Sequence, residues 1–203
     1  LTGQQFDGVI QLVNYGHTYH ARPEIMKKYT KGAKSRVEGM GENRSAMIFN
    51  GNSRIVIMPE RKQYMELPQN FGKAGAREAA KKHGVAVKTG KVENIAGISC
   101  EDWHYKGTDG EGKAEEGDAC VAKGAGMQVN RITNGMAGEF FTEGGPEFAE
   151  AMKTGGIMKV TNNGKVAFVA VKAQATSVPD AMFAPPAGYT KLSMPGMGGP
   201  PHE

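Results

Sequence analysis

The chain has 203 residues, of which 39% are hydrophobic and 23% are charged, a composition that excludes a disordered protein. The net charge of +4 comes from 25 basic and 21 acidic residues scattered along the chain, so we expect no nucleic-acid partner. The longest apolar run, Val166 to Val171, is far shorter than the roughly 20 residues that cross a bilayer, so we expect no transmembrane segment.

The first third of the chain predicts an antiparallel meander of strands. In the segment 6–13 the apolar residues Phe6, Ile10 and Leu12 all have even numbers, so in a strand they would lie on the same face. Asn50-Gly51 favours a two-residue hairpin turn, because both residues tolerate a positive φ. We predict strands at residues 6–13, 45–49, 54–58 and 63–67, and a half-exposed pair of strands within the Lys- and Arg-rich segment 26–40.

The middle of the chain predicts three short helices among further strands. Residues 76–83 are good helix formers that stop at Gly84, and glycines also follow two later runs of helix-compatible residues. Gly97 suggests a β-bulge. We predict helices at residues 76–83, 127–133 and 146–153, and strands at 85–88, 92–98, 99–106 and 118–123.

The C-terminal hairpin has the clearest pattern. Residues 157–162 and 165–171 flank the turn pair Asn163-Gly164. The second strand is apolar at both parities, so we expect it to lie in mid-sheet and to be buried on both faces. We interpret residues 1–192 as a single domain and residues 193–203, which are rich in Gly, Pro and Met, as a mobile tail.

The two cysteines, Cys100 and Cys120, flank a turn signal at residues 108–112 that would bring their strands side by side. A disulfide fits this arrangement and would be worth roughly 3 kcal/mol by the loop-entropy argument. Such a bond persists only in an oxidising compartment. The alternative is a pair of unpaired buried thiols.

Several segments together resemble a known family: Thr89-Gly90, Glu93 to Cys100, Asp180 to Phe183 before Pro186 to Tyr189, and Ile57 to Met65. The resemblance is to an uncharacterised periplasmic domain-of-unknown-function family related to the outer-membrane lipoprotein carriers (LolA/LolB-like fold). It implies an α+β, mostly β domain, in which a curved antiparallel sheet forms an unclosed β-barrel with short helices across its concave side. The chain departs from the true carriers in its two cysteines and its Met-rich strands, so none of the carriers' ligand contacts is transferred.

An apolar cavity in such a fold would be lined by large side chains on the strands. Methionine suits such a lining, because its flexible thioether adapts to varied apolar ligands. The alternative is that these residues only fill the core. The candidate ligand-cavity residues are Phe6, Ile10, Met47, Phe49, Met58, Met65, Met158, Phe168 and Phe183.

Two patterns could support other chemistry. His17 and His20, or Met194, Met197 and His202, offer soft ligands for copper, although solvated loops explain both segments better. Asp102 and His104 share a strand face with Cys100 and could form part of a thiol nucleophile, which a disulfide would preclude. No common catalytic or cofactor-binding motif occurs in the chain, so we expect neither an enzyme nor a cofactor.

These observations lead to one functional expectation and two alternatives. We expect a periplasmic, non-enzymatic binding or carrier protein for an apolar ligand, such as a lipid acyl chain or a lipoprotein segment, with other envelope proteins as further partners. No charged leader opens the chain, so any signal peptide is absent from these 203 residues. The alternatives are an envelope interaction module without a cavity and a Met/His copper-binding protein.

Overall fold

The computed structural model describes residues 6–15, 22–41, 43–51, 53–67, 84–108, 113–123 and 145–193. The described residues form twelve strands, one α-helix and two short 3-10 helices at Pro59–Arg61 and Asp180–Phe183. The strands are β1 Gly8–Asn14, β2 Glu24–Lys31, β3 Lys34–Met40, β4 Ser45–Asn50, β5 Ser53–Met58, β6 Gln63–Leu67, β7 Gly84–Ile95, β8 Ile98–Thr108, β9 Ala114–Ala122, β10 Gly156–Asn162, β11 Lys165–Ala175 and β12 Thr190–Leu192, and helix α1 is Pro146–Thr154.

All twelve strands belong to one open sheet, in the order β12-β6-β5-β4-β3-β2-β1-β11-β10-β9-β8-β7. Neighbouring strands are antiparallel except β12, which pairs with β6 in parallel. Cα atoms of β7 and β11 come within 8 Å of each other although three strands lie between them, so this part of the sheet is strongly curved. The prediction of a mostly β domain built on an unclosed sheet is confirmed.

Short turns with left-handed residues join the hairpins. Asn163 (φ 49°) and Gly164 (φ 76°) connect β10 to β11, and Gly51 (φ 60°) lies between β4 and β5, as the Asn-Gly pairs predict. The prediction of a bulge at Gly97 is wrong. Ala96 (φ 51°) and Gly97 (φ 82°) are instead the two turn residues between β7 and β8. Strand β7 extends to Ile95, and its irregularity lies earlier, as a register shift against β8 between Lys88 and Val92.

Strand β11 lies between β1 and β10, so its mid-sheet position is confirmed, but burial on both faces is not. Val166 is 42% exposed and Val171 is 49% exposed, whereas Phe168 and Ala170 are buried. The register shifts in both pairings of β11, so the alternation of its side chains is interrupted on each side. Apolar residues at both parities therefore reflect these irregularities and do not indicate two buried faces.

The prediction of a helix at residues 146–153 is confirmed by α1, which has proline at its first position. The predicted helices at 76–83 and 127–133 lie outside the described residues, as do residues 194–203 of the predicted tail. Helix α1 packs through Phe148 on Trp103 of β8, with their ring centroids 5.1 Å apart and their planes at 73°. We call the sheet face that carries Trp103 the α1 face.

Two apolar clusters stabilise the sheet. The larger one includes Trp103, Phe148 and the α1-face residues of the central strands, among them Ile10 and Val37. The smaller one covers the opposite face of β4 and β5, where Ile48 and Ile57 contact the segment that carries Phe183. The chain therefore buries apolar side chains on both faces of one sheet.

Candidate functional site

A continuous row of side chains crosses the α1 face from the centre of the sheet towards β6. Residues that pair directly across neighbouring strands project to the same face. The pairing of β1 to β6 aligns six such residues, which we call the Lys28 row: Ile10, Lys28, Val37, Met47, Val56 and Met65. From Lys28 to Met65 the row spans four strand spacings, or about 19 Å at about 4.8 Å each.

Burial decreases along this row. Ile10, Lys28 and Val37 are buried in the core, whereas Met47, Val56 and Met65 are half-buried. Further half-buried methionines, Met40 on β3 and Met58 on β5, lie on the same face beside the row. The row therefore leads from the apolar core to a methionine-rich surface near the edge of the sheet.

The buried end of the row contains an amine. The side chain of Lys28 is 0% exposed, and its Nζ has no hydrogen-bond partner among the described residues. Burial holds the pKa of this amine well below its ordinary value. The buried Ser35 hydroxyl, on the same face of β3, also lacks a partner among the residues described here. Thr30, in contrast, donates a hydrogen bond to the carbonyl oxygen of Phe6 at 2.7 Å.

Sequence reasoning missed Lys28 because the many lysines of this segment suggested half-exposed strands. The alternation Met26, Lys28, Thr30 was the available signal, since all three residues lie on the buried side of β2. A lysine at the buried parity of a strand is unusual, because burying an ammonium without a partner is costly.

The structure brings most of the predicted cavity residues together. Six of them share the α1 face by pairing register: Ile10, Met47, Phe49, Met58, Met65 and Phe168. Phe6 and Met158 are buried in the same apolar cluster. Phe183 is separate, because it packs in the smaller cluster on the opposite face. Whether these residues line a ligand cavity stays a prediction.

The opposite face carries a groove of about 540 Å³ with a different character. Its lining includes Lys27, Arg36, Arg44 and Glu38. Arg36 Nε already donates to Glu38 Oε1 at 2.7 Å, and its Nη1 donates to the Met182 carbonyl oxygen at 3.2 Å. This charged lining suits an apolar ligand less well than the Lys28 row does.

Cys100 and Cys120 form a disulfide with their Cα atoms 5.3 Å apart, as predicted, so Cys100 has no thiolate to act as a nucleophile. His104 is held between two carboxylates, with Nδ1 2.7 Å from Asp118 Oδ1 and Nε2 2.9 Å from Glu116 Oε1. Asp118 also accepts a hydrogen bond from the Thr161 hydroxyl at 3.1 Å. These groups stabilise the packing of β8, β9 and β10.

A second polar cluster surrounds Glu93 of β7. Its carboxylate accepts hydrogen bonds from Lys159 and, at 2.7 Å, from Lys91. These contacts, that of Lys159 above all, lower the pKa of Glu93 to about 2. Burial, together with the nearby Glu93 carboxylate, raises the pKa of Asp102. The surroundings therefore shift the pKa values of the two carboxyl groups in opposite directions.

Glu93 makes a testable contribution to acid stability. Because its pKa in the folded chain is about 2 and its ordinary value is 4.5, its ion pairs stabilise the fold above about pH 4.5. That stabilisation is lost as the pH falls towards 2. In Glu93→Gln we expect a flatter decline of the free energy of unfolding between pH 5 and pH 2, measured by urea denaturation. The control, Glu60→Gln at an exposed position, should follow the wild type, and an unchanged slope in Glu93→Gln would contradict the assignment.

Other kinds of site find little support in the part of the chain that is described. No group of three or more His, Cys, Asp or Glu side chains there could hold a metal ion. The copper-ligand candidates His17, His20, Met194, Met197 and His202 lie outside that part. No described helix has the length and hydrophobicity needed to cross a membrane.

A protein-family model described as a domain of unknown function, DUF4412, matches residues 6–189, which include the Lys28 row and both cysteines. The chain belongs to the DUF4412 family. This confirms the predicted membership in a family of unknown function, while a relation of DUF4412 to the outer-membrane lipoprotein carriers stays a prediction.

The other known proteins that were compared give no evidence about function. No curated protein matches the chain. Nine chains of solved structures match, among them PNGF-II in space group C2, which is 10% identical with a TM-score of 0.48. That match covers 91% of this chain but only 30% of the PNGF-II chain. A likeness this weak carries no argument about activity.

Proposed function

We propose that the chain is a non-enzymatic binding or carrier protein for an apolar ligand, such as a lipid acyl chain or a lipoprotein segment. The observation that carries the proposal is the Lys28 row, whose half-buried methionines continue the apolar core onto an accessible surface. Methionine side chains adapt their shape to a ligand at little cost, which suits a site that accepts chains of varied structure.

The length of the row sets the affinity that acyl-chain burial alone can supply. An extended palmitoyl chain is comparable in length to the distance of about 19 Å from Lys28 to Met65. Burying about ten methylene groups at about 0.8 kcal/mol each gives about 8 kcal/mol before the costs of association are subtracted. Subtracting association costs of at least about 4 kcal/mol leaves about 4 kcal/mol, which corresponds to millimolar binding from the buried methylene groups alone. An acyl chain in this row would therefore bind reversibly, as a carrier requires.

Two further observations support a periplasmic location and a carrier role. The Cys100–Cys120 disulfide is stable in an oxidising compartment such as the periplasm. The resemblance to the lipoprotein carriers, together with the open, curved sheet, supports a half-barrel whose ligand lies between the sheet and short helices on its concave side. Helix α1, packed on Trp103, would be one of these helices.

The test combines native mass spectrometry of the exported protein with binding of the neutral apolar dye N-phenyl-1-naphthylamine. We expect a lipid-sized adduct on the wild type and dye uptake. The double variant Met47→Gln/Met65→Gln should bind the dye at least about tenfold more weakly, since about 1.4 kcal/mol corresponds to a factor of ten. Circular dichroism checks that the variants keep the fold.

The matched control is Ile25→Gln, because Ile25 is 59% exposed and lies on the opposite face of β2. Its dye affinity should equal that of the wild type. Weaker binding in Ile25→Gln alone would move the site to the charged groove. A wild type that shows neither adduct nor dye uptake would overturn the proposal and favour an interaction module with a packed core.

A further inference from the structure

Two buried polar groups on the α1 face have unused hydrogen-bonding capacity. Lys28 Nζ and Ser35 Oγ are both fully enclosed, and neither has a hydrogen-bond partner among the described residues. Buried polar groups in native proteins are nearly always paired, so an unsatisfied group calls for a specific explanation. One explanation is that a ligand supplies the missing partner.

The two groups are close enough to act on one ligand. Lys28 pairs with Val37 across β2 and β3, and Ser35 lies two residues before Val37 on the same face. Such diagonal neighbours are about 7 Å apart, a distance that the long side chain of lysine can bridge. An ammonium offers three donors and a hydroxyl offers one. The pair therefore forms a donor site that requires an acceptor.

We propose that Lys28 and Ser35 bind the carboxylate of a long-chain monocarboxylic acid, whose hydrocarbon tail lies along Met47, Val56 and Met65. This inference rests on the proposed function and specifies its ligand as a free fatty acid. A carboxylate has two acceptor oxygens, one for each donor, and its charge compensates the buried ammonium. The apolar neighbours of Lys28 in the row, Ile10 and Val37, are fully buried and favour a small acidic group over a phosphodiester headgroup.

The arrangement also explains why a lysine occupies this position. Without an anion, the amine is in an apolar environment that disfavours its charge. A carboxylate that arrives with the ligand restores a charge-assisted hydrogen bond inside the core. The ligand would thus enter with its acidic end first and leave its tail at the half-buried methionines.

The experiment measures displacement of N-phenyl-1-naphthylamine by palmitate and by hexadecanol, which has the same chain without a carboxylate. In the wild type we expect palmitate to bind about 10–100-fold more tightly than hexadecanol, the range for a hydrogen bond to a charged group. In Lys28→Met this preference should disappear while hexadecanol affinity stays within about threefold of the wild type. Lys27→Met, exposed on the opposite face of the same strand, should keep the preference.

Ser35→Ala provides a second test that does not depend on Lys28→Met folding. It should reduce the preference for palmitate by about threefold, as expected for loss of one ordinary hydrogen bond. Equal affinity for palmitate and hexadecanol in the wild type would overturn the inference and leave the proposed function intact, as would a preference that survives in Lys28→Met. If the wild type binds neither the dye nor palmitate nor hexadecanol, both this inference and the proposed function are overturned.

Discussion

Trp103→Ala is expected to lower the free energy of unfolding by about 3–5 kcal/mol, the range for truncating a large buried aromatic residue. The Trp103 side chain is fully buried, and its ring makes an edge-to-face contact with Phe148 of α1. Lys88, on the neighbouring strand β7, places its Nζ 5.3 Å from the centroid of the Trp103 ring. The substitution therefore leaves a cavity and also removes a main contact of α1 with the sheet.

Urea denaturation followed by far-UV circular dichroism measures this effect, because Trp103 is the single tryptophan of the chain and the variant loses its fluorescence. The matched variant Trp103→Phe keeps a ring against Phe148 and should lose about 1–2 kcal/mol, since part of the ring contact remains. If Trp103→Ala costs less than about 1 kcal/mol, well below the usual range, the contact does not anchor α1.

Cys100→Ala/Cys120→Ala is expected to lower the free energy of unfolding by about 3 kcal/mol. The disulfide joins residues separated by 20 positions, and its stabilisation in the loop-entropy account comes from restricting the unfolded chain. Both cysteines are buried, and alanine is smaller than cysteine, so the substitutions introduce no clash in the folded state. The loss should appear as a lower urea midpoint for the double variant.

Two comparisons separate the disulfide from the packing of the cysteine side chains. The wild type, unfolded and refolded under reducing conditions, should match the stability of the double variant within about 1 kcal/mol, the scale of the packing difference. Intact mass should show a two-dalton deficit in the oxidised wild type. Equal stability of the oxidised and reduced wild type would contradict the prediction and would leave the disulfide without a stabilising role.

The local parts of this fold could be predicted well from sequence. The hairpins at Asn50-Gly51 and Asn163-Gly164 follow from residues that tolerate a positive φ, and α1 follows from proline at its start and glycine after its end. These signals act within a few residues of one another. The Cys100–Cys120 pairing was predicted from two strands expected to lie side by side, and the antiparallel register of β8 with β9 confirms that arrangement.

The candidate site could be predicted only in part, because its geometry depends on pairs distant in sequence. Met47 and Met65 were predicted as cavity residues, but Lys28 was not, since its burial depends on β1 and β3 as much as on its own strand. Likewise, the irregular pairing of β11 with β1 and β10 exposed Val171, which the apolar pattern had placed in the core. Periodicity alone contains no information about such shifts in register.

Strand β12 has a consequence for how the protein behaves at high concentration. This three-residue strand pairs in parallel with β6 and so occupies the backbone groups at that end of the sheet. Its exposed Lys191 is paired with Glu66 at 2.6 Å, and a short, charged edge strand discourages a second chain from adding to the sheet. Displacing β12 would uncover β6 as a template for intermolecular strand pairing. We therefore expect the loss of these three residues to promote aggregation.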